Sequence, residues 1–253
     1  MVATRRPARD RVARTVAASL AMAAAIALGP WLPQAAAADA APTGGVRTLY
    51  LVRHGAYDTT DARDDAEGKA LVPIGIAQAR LLAARLRAWP ARFDDIVASP
   101  LTRARETAAV IAADLGGARV RIDADLAECT PPTRRQDIMA REKPDDLAAC
   151  SAQLDRLAAR LFAPLPQGER HELVVCHGNV TRWLVAKALA VDPASWLGLS
   201  ISHASLTEIR VERDGSLRVL SVGDSGHLPP NLRSGRIGDA EPTLRVAPTG
   251  APP

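Results

Sequence analysis

The sequence is short of what a metal cluster, an aromatic core or a polyanion-binding face would require. Its 253 residues hold three cysteines, Cys129, Cys150 and Cys176. They form no Cys-x-x-Cys pair and no zinc spacing, which argues against a cysteine-based metal centre. Aromatic residues are only 3% of the chain, so the core has to be assembled from Leu, Val, Ile and Ala, and alanine-rich helices are the expectation. An excess of one charge is also missing once the first 38 residues are set apart. They carry Arg5, Arg6, Arg9, Arg11 and Arg14 against Asp10, a net +4, and the whole chain is +4. The remainder is near neutral, so the overall pI of 9.3 says nothing about nucleic acid. No basic stripe with interleaved aromatics occurs elsewhere, and a nucleic-acid partner is not expected.

Residues 1–38 have the layout of a signal peptide: an arginine-rich start, an apolar run from Val16 to Leu28, and small residues at Ala35 to Ala38 that offer cleavage sites. The run falls short of the ~20 residues that span a bilayer. An exported protein, periplasmic or secreted, is the expectation, with an uncleaved leader holding the chain to a membrane as the alternative. Pro7 and further charges weaken a twin-arginine reading of Arg5-Arg6. Export would allow one disulfide, Cys129–Cys150, with Cys176 a buried thiol because it ends the apolar run Leu173-Val174-Val175.

The rest divides into a domain over 46–228 and a Pro- and Gly-rich stretch over 229–253 that reads as a flexible tail. Within the domain, short apolar runs alternate with helical patterns. Leu49 to Val52, Asp95 to Ala98, Val120 to Ile122 and Leu173 to Cys176 read as strands, and Leu206 to Glu212 and Leu217 to Val222 flank Asp214-Gly215 as a hairpin. Helical spacing marks Pro73 to about Trp89, a segment opening at Ser99-Pro100, Asp145 to Phe162, and Val180 to Ala190. Strands alternating with helices imply an α/β fold, a three-layer α/β/α sandwich on a mostly parallel sheet.

Two of these strands stop at a His-Gly. The first ends in Arg53-His54-Gly55, the fourth in His177-Gly178. In open α/β sheets ligands sit beyond the carboxyl ends of strands, so both histidines are candidates for one site. An imidazole offers a nucleophile and a guanidinium offers a planar donor fork suited to phosphate oxygens. Arg103 and Arg105 fall in the first turns of a helix, where a cation is unhelpful to the helix itself but an anion is favoured. Glu128, beside Leu126 and Cys129, is placed for partial burial, which would raise its pKa and let it act as an acid, with Asp125 the next carboxyl in line. The acidic loop 56–70 follows the first triplet directly and can form a lip of the site.

Together the segments Leu-Val-Arg53-His54-Gly55, Ala-Ser-Pro-Leu-Thr-Arg103-Ala-Arg-Glu-Thr-Ala108, Leu-Ala-Glu128 and Val-Val-Cys-His177-Gly178 resemble the histidine phosphatase superfamily, over about Thr48 to Val222. Cys176 to Arg182 and Gly223 to Pro230 look most like its mitochondrial phosphoglycerate-mutase-like Ser/Thr protein phosphatases. The resemblance implies a phosphomonoesterase in which His54 is the nucleophile, Arg53, Arg103 and His177 hold the phosphoryl oxygens, and Glu128 protonates the leaving group. It implies no metal or other cofactor, and a phosphorylated small molecule or phosphoprotein as substrate. Phosphoryl transfer is mostly positioning and charge stabilisation, which two arginines and a second histidine can supply. Ala56-Tyr57-Asp58 departs from the pattern of phosphoglycerate mutases, and Gly178 after His177 departs from that of the acid phosphatases and phytases. A mutase-type phosphotransferase and an idle phosphate-binding scaffold remain the alternatives, and the intact His54 speaks against the second. Oligomeric state is not legible.

Overall fold

The computed structural model describes residues 44–64, 66–236, 239 and 241–245. The leader expected over residues 1–38 lies outside them. The first strand, β1 (Val46–Arg53), is covered on both faces: Leu49 and Leu51 pack into one core layer and Tyr50 and Val52 into the other, all buried. A strand buried on both sides reads as a continuous apolar run rather than an alternating one, which is why the sequence pattern showed so clearly. Each such Leu or Val contributes roughly 1.5–3 kcal/mol of burial.

The chain continues through α1 (Pro73–Arg87), β2 (Asp95–Ala98), α2 (Thr102–Asp114), β3 (Val120–Ile122), the one-turn α3 (Gln136–Met139), α4 (Pro144–Leu161), β4 (Glu169–Cys176), α5 (Gly178–Ala188), β5 (Leu206–Val211) and β6 (Leu217–Asp224). The six strands form one sheet in the order β3-β2-β4-β1-β5-β6. The first four run parallel, while β5 and β6 are antiparallel additions at one side. Helices α1 and α2 cover one face, through Leu82, Leu86, Ala104, Ala108 and Ile111. The other face is covered by α4 and α5, through Leu154, Leu157, Val180 and Leu184. This is the expected three-layer α/β/α sandwich. No helix of the described residues is long and apolar enough to cross a membrane.

Register decides what meets at the sheet edge. Strand β1 pairs with β4 from Val46↔Glu169 to Arg53↔Cys176, so His54 and His177 follow paired residues and leave the sheet side by side. Val52 pairs with Leu206 in the antiparallel neighbour, which brings the residues just before β5 to the same edge. The turn after His54 is tightly packed: a Cβ on Gly55 would lie 2.5 Å from the carbonyl oxygen of Gly75, so α1 can approach the loop only because that position is glycine.

Two sequence expectations need correction. Helix α2 starts at Thr102 rather than at Ser99-Pro100, because the amide of Ser99 still donates to the Val175 carbonyl and extends the β2–β4 ladder by one residue. The segment after Pro229 is not a free tail over its first part. Residues 230–232 form a short 3-10 turn, Leu232 and Ser234 are buried, and Gln78 donates to the Leu232 carbonyl and to Ser234 Oγ. Its composition predicted a tail because a segment held by backbone carbonyls and one serine shows no hydrophobic period.

The cysteine pairing is as expected from the sequence. Cys129 and Cys150 are bridged, with their Cα atoms 5.7 Å apart, within the usual span. Cys176 is a free, buried thiol whose pKa burial pushes up to about 12.

Candidate active site

His54, at the carboxyl end of β1, is buried, and its tautomer can be read from its partners. Nδ1 lies 2.8 Å from the Gly55 carbonyl, which only accepts, so Nδ1 carries the proton. Nε2 then presents its lone pair, and it receives Arg103 Nε at 3.2 Å. Burial, then the neighbouring His177 and Arg53, push the His54 pKa well below the usual imidazole value. It is neutral at ordinary pH, as a nitrogen nucleophile must be.

His177, the N-cap of α5, is fully buried, with its ring 5.1 Å from that of His54. Its Nε2 is 2.7 Å from Ser99 Oγ, at the end of β2, so a third parallel strand contributes to the site. Burial, followed by Arg103 and Arg53, lowers its pKa well below the usual range. Arg53 is anchored by Nη1 to the carbonyls of Ile201 (2.6 Å) and Gly235 (2.8 Å). Burial lowers its pKa to about 10, which leaves it charged at neutral pH. Arg103 reaches the site from the first turn of α2, with its guanidinium 5.0 Å from the Tyr57 ring centre. Arg105 instead turns back to Thr102 Oγ1. Tyr57, whose ring is 5.2 Å from that of His54, and Gly68, against Arg103, show that the 56–70 loop does border the site.

Glu128 lies on the loop between β3 and α3. Its Oε1 accepts from the Asn179 amide in the first turn of α5 at 3.2 Å, and its Oε2 is 3.8 Å from His177 Nδ1. The side chain is 26% exposed, yet Oε2 itself is buried, so the carboxyl end points inward. Burial of the carboxyl raises its pKa to about 7, against the lowering effects of the Asn179 amide and Arg53. The loop is held from both sides, by Asn179 Nδ2 on the Cys129 carbonyl, by Gln153 on the Asp125 and Ala127 carbonyls, and by the Cys129–Cys150 bridge to α4. Asp125 is engaged elsewhere, in ion pairs with Arg156 and Arg160.

The structure thus brings Arg53, His54, Arg103, Glu128 and His177 into one cluster, and it adds Arg182 and His203, to which the sequence reading gave no role. Arg182 lies on α5 and bonds Asn179 Oδ1. His203 precedes β5, with its ring 5.4 Å from that of His54. The signal for His203 was its place before a hairpin strand, legible only once that strand is known to pair antiparallel to β1. Among the described residues, five buried side-chain atoms of this group have no hydrogen-bond partner: Arg53 Nε, Glu128 Oε2, His177 Nδ1, Arg182 Nε and His203 Nε2. Buried polar atoms are rarely left unpaired. A concentration of them, mostly on cationic or donor side chains, around a buried imidazole whose lone pair is turned toward Arg103 suits an oxyanion.

Comparison with known proteins identifies the family of the chain. The model of the histidine phosphatase superfamily (branch 1) matches residues 49–224. Among curated proteins, the chain is 34% identical over 190 residues to "Serine/threonine-protein phosphatase Pgam5, mitochondrial" of Caenorhabditis elegans, covering 73% of this chain and 65% of that one. It is 30% identical over 191 residues to the Homo sapiens protein of the same description, with the same coverage. The chain therefore spans 65% of the length of these relatives. Among solved structures it resembles the alpha-ribazole phosphatase from Shigella flexneri (TM-score 0.57, 20% identity, 70% of this chain and 96% of that one). It also resembles a phosphoglycerate mutase from Plasmodium falciparum (TM-score 0.52, 22% identity, 73% and 95%). Those two likenesses concern the fold.

The relatives correct the expectation of a signal peptide and export: their names place them in mitochondria. The physical reason for the misreading is compositional, since an arginine-rich, acid-poor start followed by small and apolar residues is shared by export signals and organellar transit sequences.

Proposed function

The chain belongs to the histidine phosphatase superfamily, and from that premise we propose that it is a phosphatase acting on phosphomonoesters through a phosphohistidine at His54, with phosphoserine or phosphothreonine in proteins as the substrate. The observation that carries the chemistry is the His54 tautomer, fixed by Gly55, which turns the Nε2 lone pair toward Arg103 amid a ring of unpaired donors. Nε2 attacks phosphorus while Arg53, Arg103 and His177 hold the phosphoryl oxygens. Glu128, protonated near neutrality, gives its proton to the departing alkoxide as the P–O bond breaks. The same carboxylate then takes a proton from water, which attacks the phosphohistidine and releases inorganic phosphate, restoring neutral His54.

The preference for phosphoprotein rests on the relatives, whose names state serine/threonine-protein phosphatase. A raised carboxyl pKa fits it, because serine and threonine alkoxides are poor leaving groups that need a proton. The experiment is phosphate release from phosphoserine and phosphothreonine peptides set against a panel of phosphorylated metabolites, with the His54→Ala variant as control. Faster turnover of a metabolite than of every peptide would reject the substrate assignment. Full activity of His54→Ala would reject the mechanism.

A further inference from the structure

We propose that His203 is an additional substrate-contacting residue of this site, a neutral Nε2–H donor to a phosphoryl oxygen, whose tautomer is imposed by Ser234. The proposal rests on the phosphatase reading above and extends its binding pocket.

Gln78 is positioned by its Oε1, which accepts from the Ala56 amide at 2.8 Å. Its amide nitrogen has two protons to donate, and they go to the Leu232 carbonyl at 2.6 Å and to Ser234 Oγ at 3.0 Å. Ser234 Oγ therefore accepts from Gln78 and keeps its own proton to give. His203 Nδ1, 2.9 Å away, is the one acceptor within reach of that proton among the described residues, and takes it. A hydroxyl donating to Nδ1 leaves the imidazole proton on Nε2. That atom is buried and has no hydrogen-bond partner among the described residues.

His177 is built the same way. Its Nε2 meets Ser99 Oγ, which accepts from the Leu101 amide, and its other ring nitrogen is buried and without a partner among the described residues. Two histidines on either side of His54, each with one nitrogen held by a serine hydroxyl that is itself hydrogen-bonded, form a matched pair of neutral donors. Burial, then Arg53 and Arg103, lower the His203 pKa to about 3, so it stays neutral beside these two guanidinium groups. The contact also gives the 229–236 segment a task. It supplies Ser234 to His203, the Gly235 carbonyl to Arg53, and the Ser234 carbonyl to the His203 amide at 2.9 Å.

The test compares the full chain with His203→Phe, His203→Gln and Ser234→Ala, measuring kcat/KM on p-nitrophenyl phosphate and inhibition by orthovanadate. Loss of the donor in His203→Phe is expected to lower kcat/KM by roughly 10- to 100-fold and to weaken orthovanadate by a similar factor. His203→Gln, whose amide restores an N–H at comparable reach, should recover most of both, and Ser234→Ala should fall between. If His203→Phe matches the wild type while His54→Ala is inactive, His203 makes no such contact although the enzyme reading stands. Imidazole 15N spectra of the folded wild type, assigned with His203→Gln, give a second answer that does not need turnover. An Nε2–H tautomer whose nitrogen shifts on adding orthovanadate supports the proposal, and an Nδ1–H tautomer or an unmoved signal overturns it. Absence of hydrolysis by the wild type would instead fault the phosphatase reading, leaving the spectra to decide His203.

Discussion

Replacing Glu128 by Gln should separate the acid's part in the chemistry from its burden on stability, and the two effects have opposite signs. The folded-state pKa is raised from 4.5 to about 7 by burial, so the native protein keeps a proton that the unfolded chain releases near 4.5. Between those values the native state binds more protons than the unfolded state, and stability falls as pH rises through the window. A shift of that size corresponds to about 3 kcal/mol. Below the unfolded pKa the glutamine variant should match the wild type. Above about 7 it should be more stable by up to that amount, because no buried carboxylate has to ionise. Gln keeps an oxygen for the Asn179 amide, so local structure is retained. Catalysis moves the other way. The wild type should hold its rate on a phosphoserine peptide below about pH 7 and lose about tenfold per unit above it, as the acid ionises. In the variant that rate should drop by roughly 10²- to 10⁴-fold and lose this limb, with a much smaller drop on p-nitrophenyl phosphate, whose leaving group needs little help. The assay is denaturant unfolding and kcat on both substrates across the acidic and alkaline range. An unchanged limb with an unchanged phosphoserine rate would place the acid elsewhere. Equal stability of the two proteins at every pH would refute the burial argument.

Arg103→Ala should lose about 3 kcal/mol of transition-state stabilisation, a fall in kcat/KM of roughly 100-fold, because its guanidinium already touches the attacking nitrogen; steady-state kinetics checks this. Cys150→Ser opens a bridge between positions 21 residues apart, so denaturant unfolding should show a loss of ~3 kcal/mol on the chain-entropy model. Thiol titration of the denatured, unreduced wild type should count one thiol. Gly235 has φ +87°, and a Cβ there would lie 2.7 Å from His203 Nδ1 and 2.8 Å from Arg53 Nη1. Gly235→Val should therefore impair turnover, whereas Gly116→Val, at φ +92° but with open space around it, should carry the backbone strain alone and keep its activity.

The parallel part of this fold was legible because β1, β2 and β4 are buried on both faces and announce themselves as short apolar runs, each ending at a polar break. That is also why His54, Arg53, Arg103 and His177 could be picked out: a strand terminus is a sequence event. What escaped the reading depends on pairing between distant segments. His203 reaches the site only because β5 lies antiparallel to β1 with Leu206 opposite Val52. The segment beyond Pro229 is fixed by carbonyls accepting from Arg53 and Gln78, contacts that no hydrophobic period records. The sequence ranked Glu128 ahead of Asp125 as the acid, and the structure separates them further: Asp125 is held in ion pairs with α4, while Glu128 lies against Asn179 and His177.

The central claim is that His54 becomes covalently phosphorylated, and rapid-quench trapping of the enzyme with a phosphoryl-labelled substrate tests it most directly. The account predicts an acid-labile, base-stable label that forms and decays at rates compatible with turnover, located by mass spectrometry on His54 and attached through Nε2, since Nδ1 is occupied by its bond to Gly55. Turnover with no labelled protein at any quench time, or a competent label on any other residue, would contradict it.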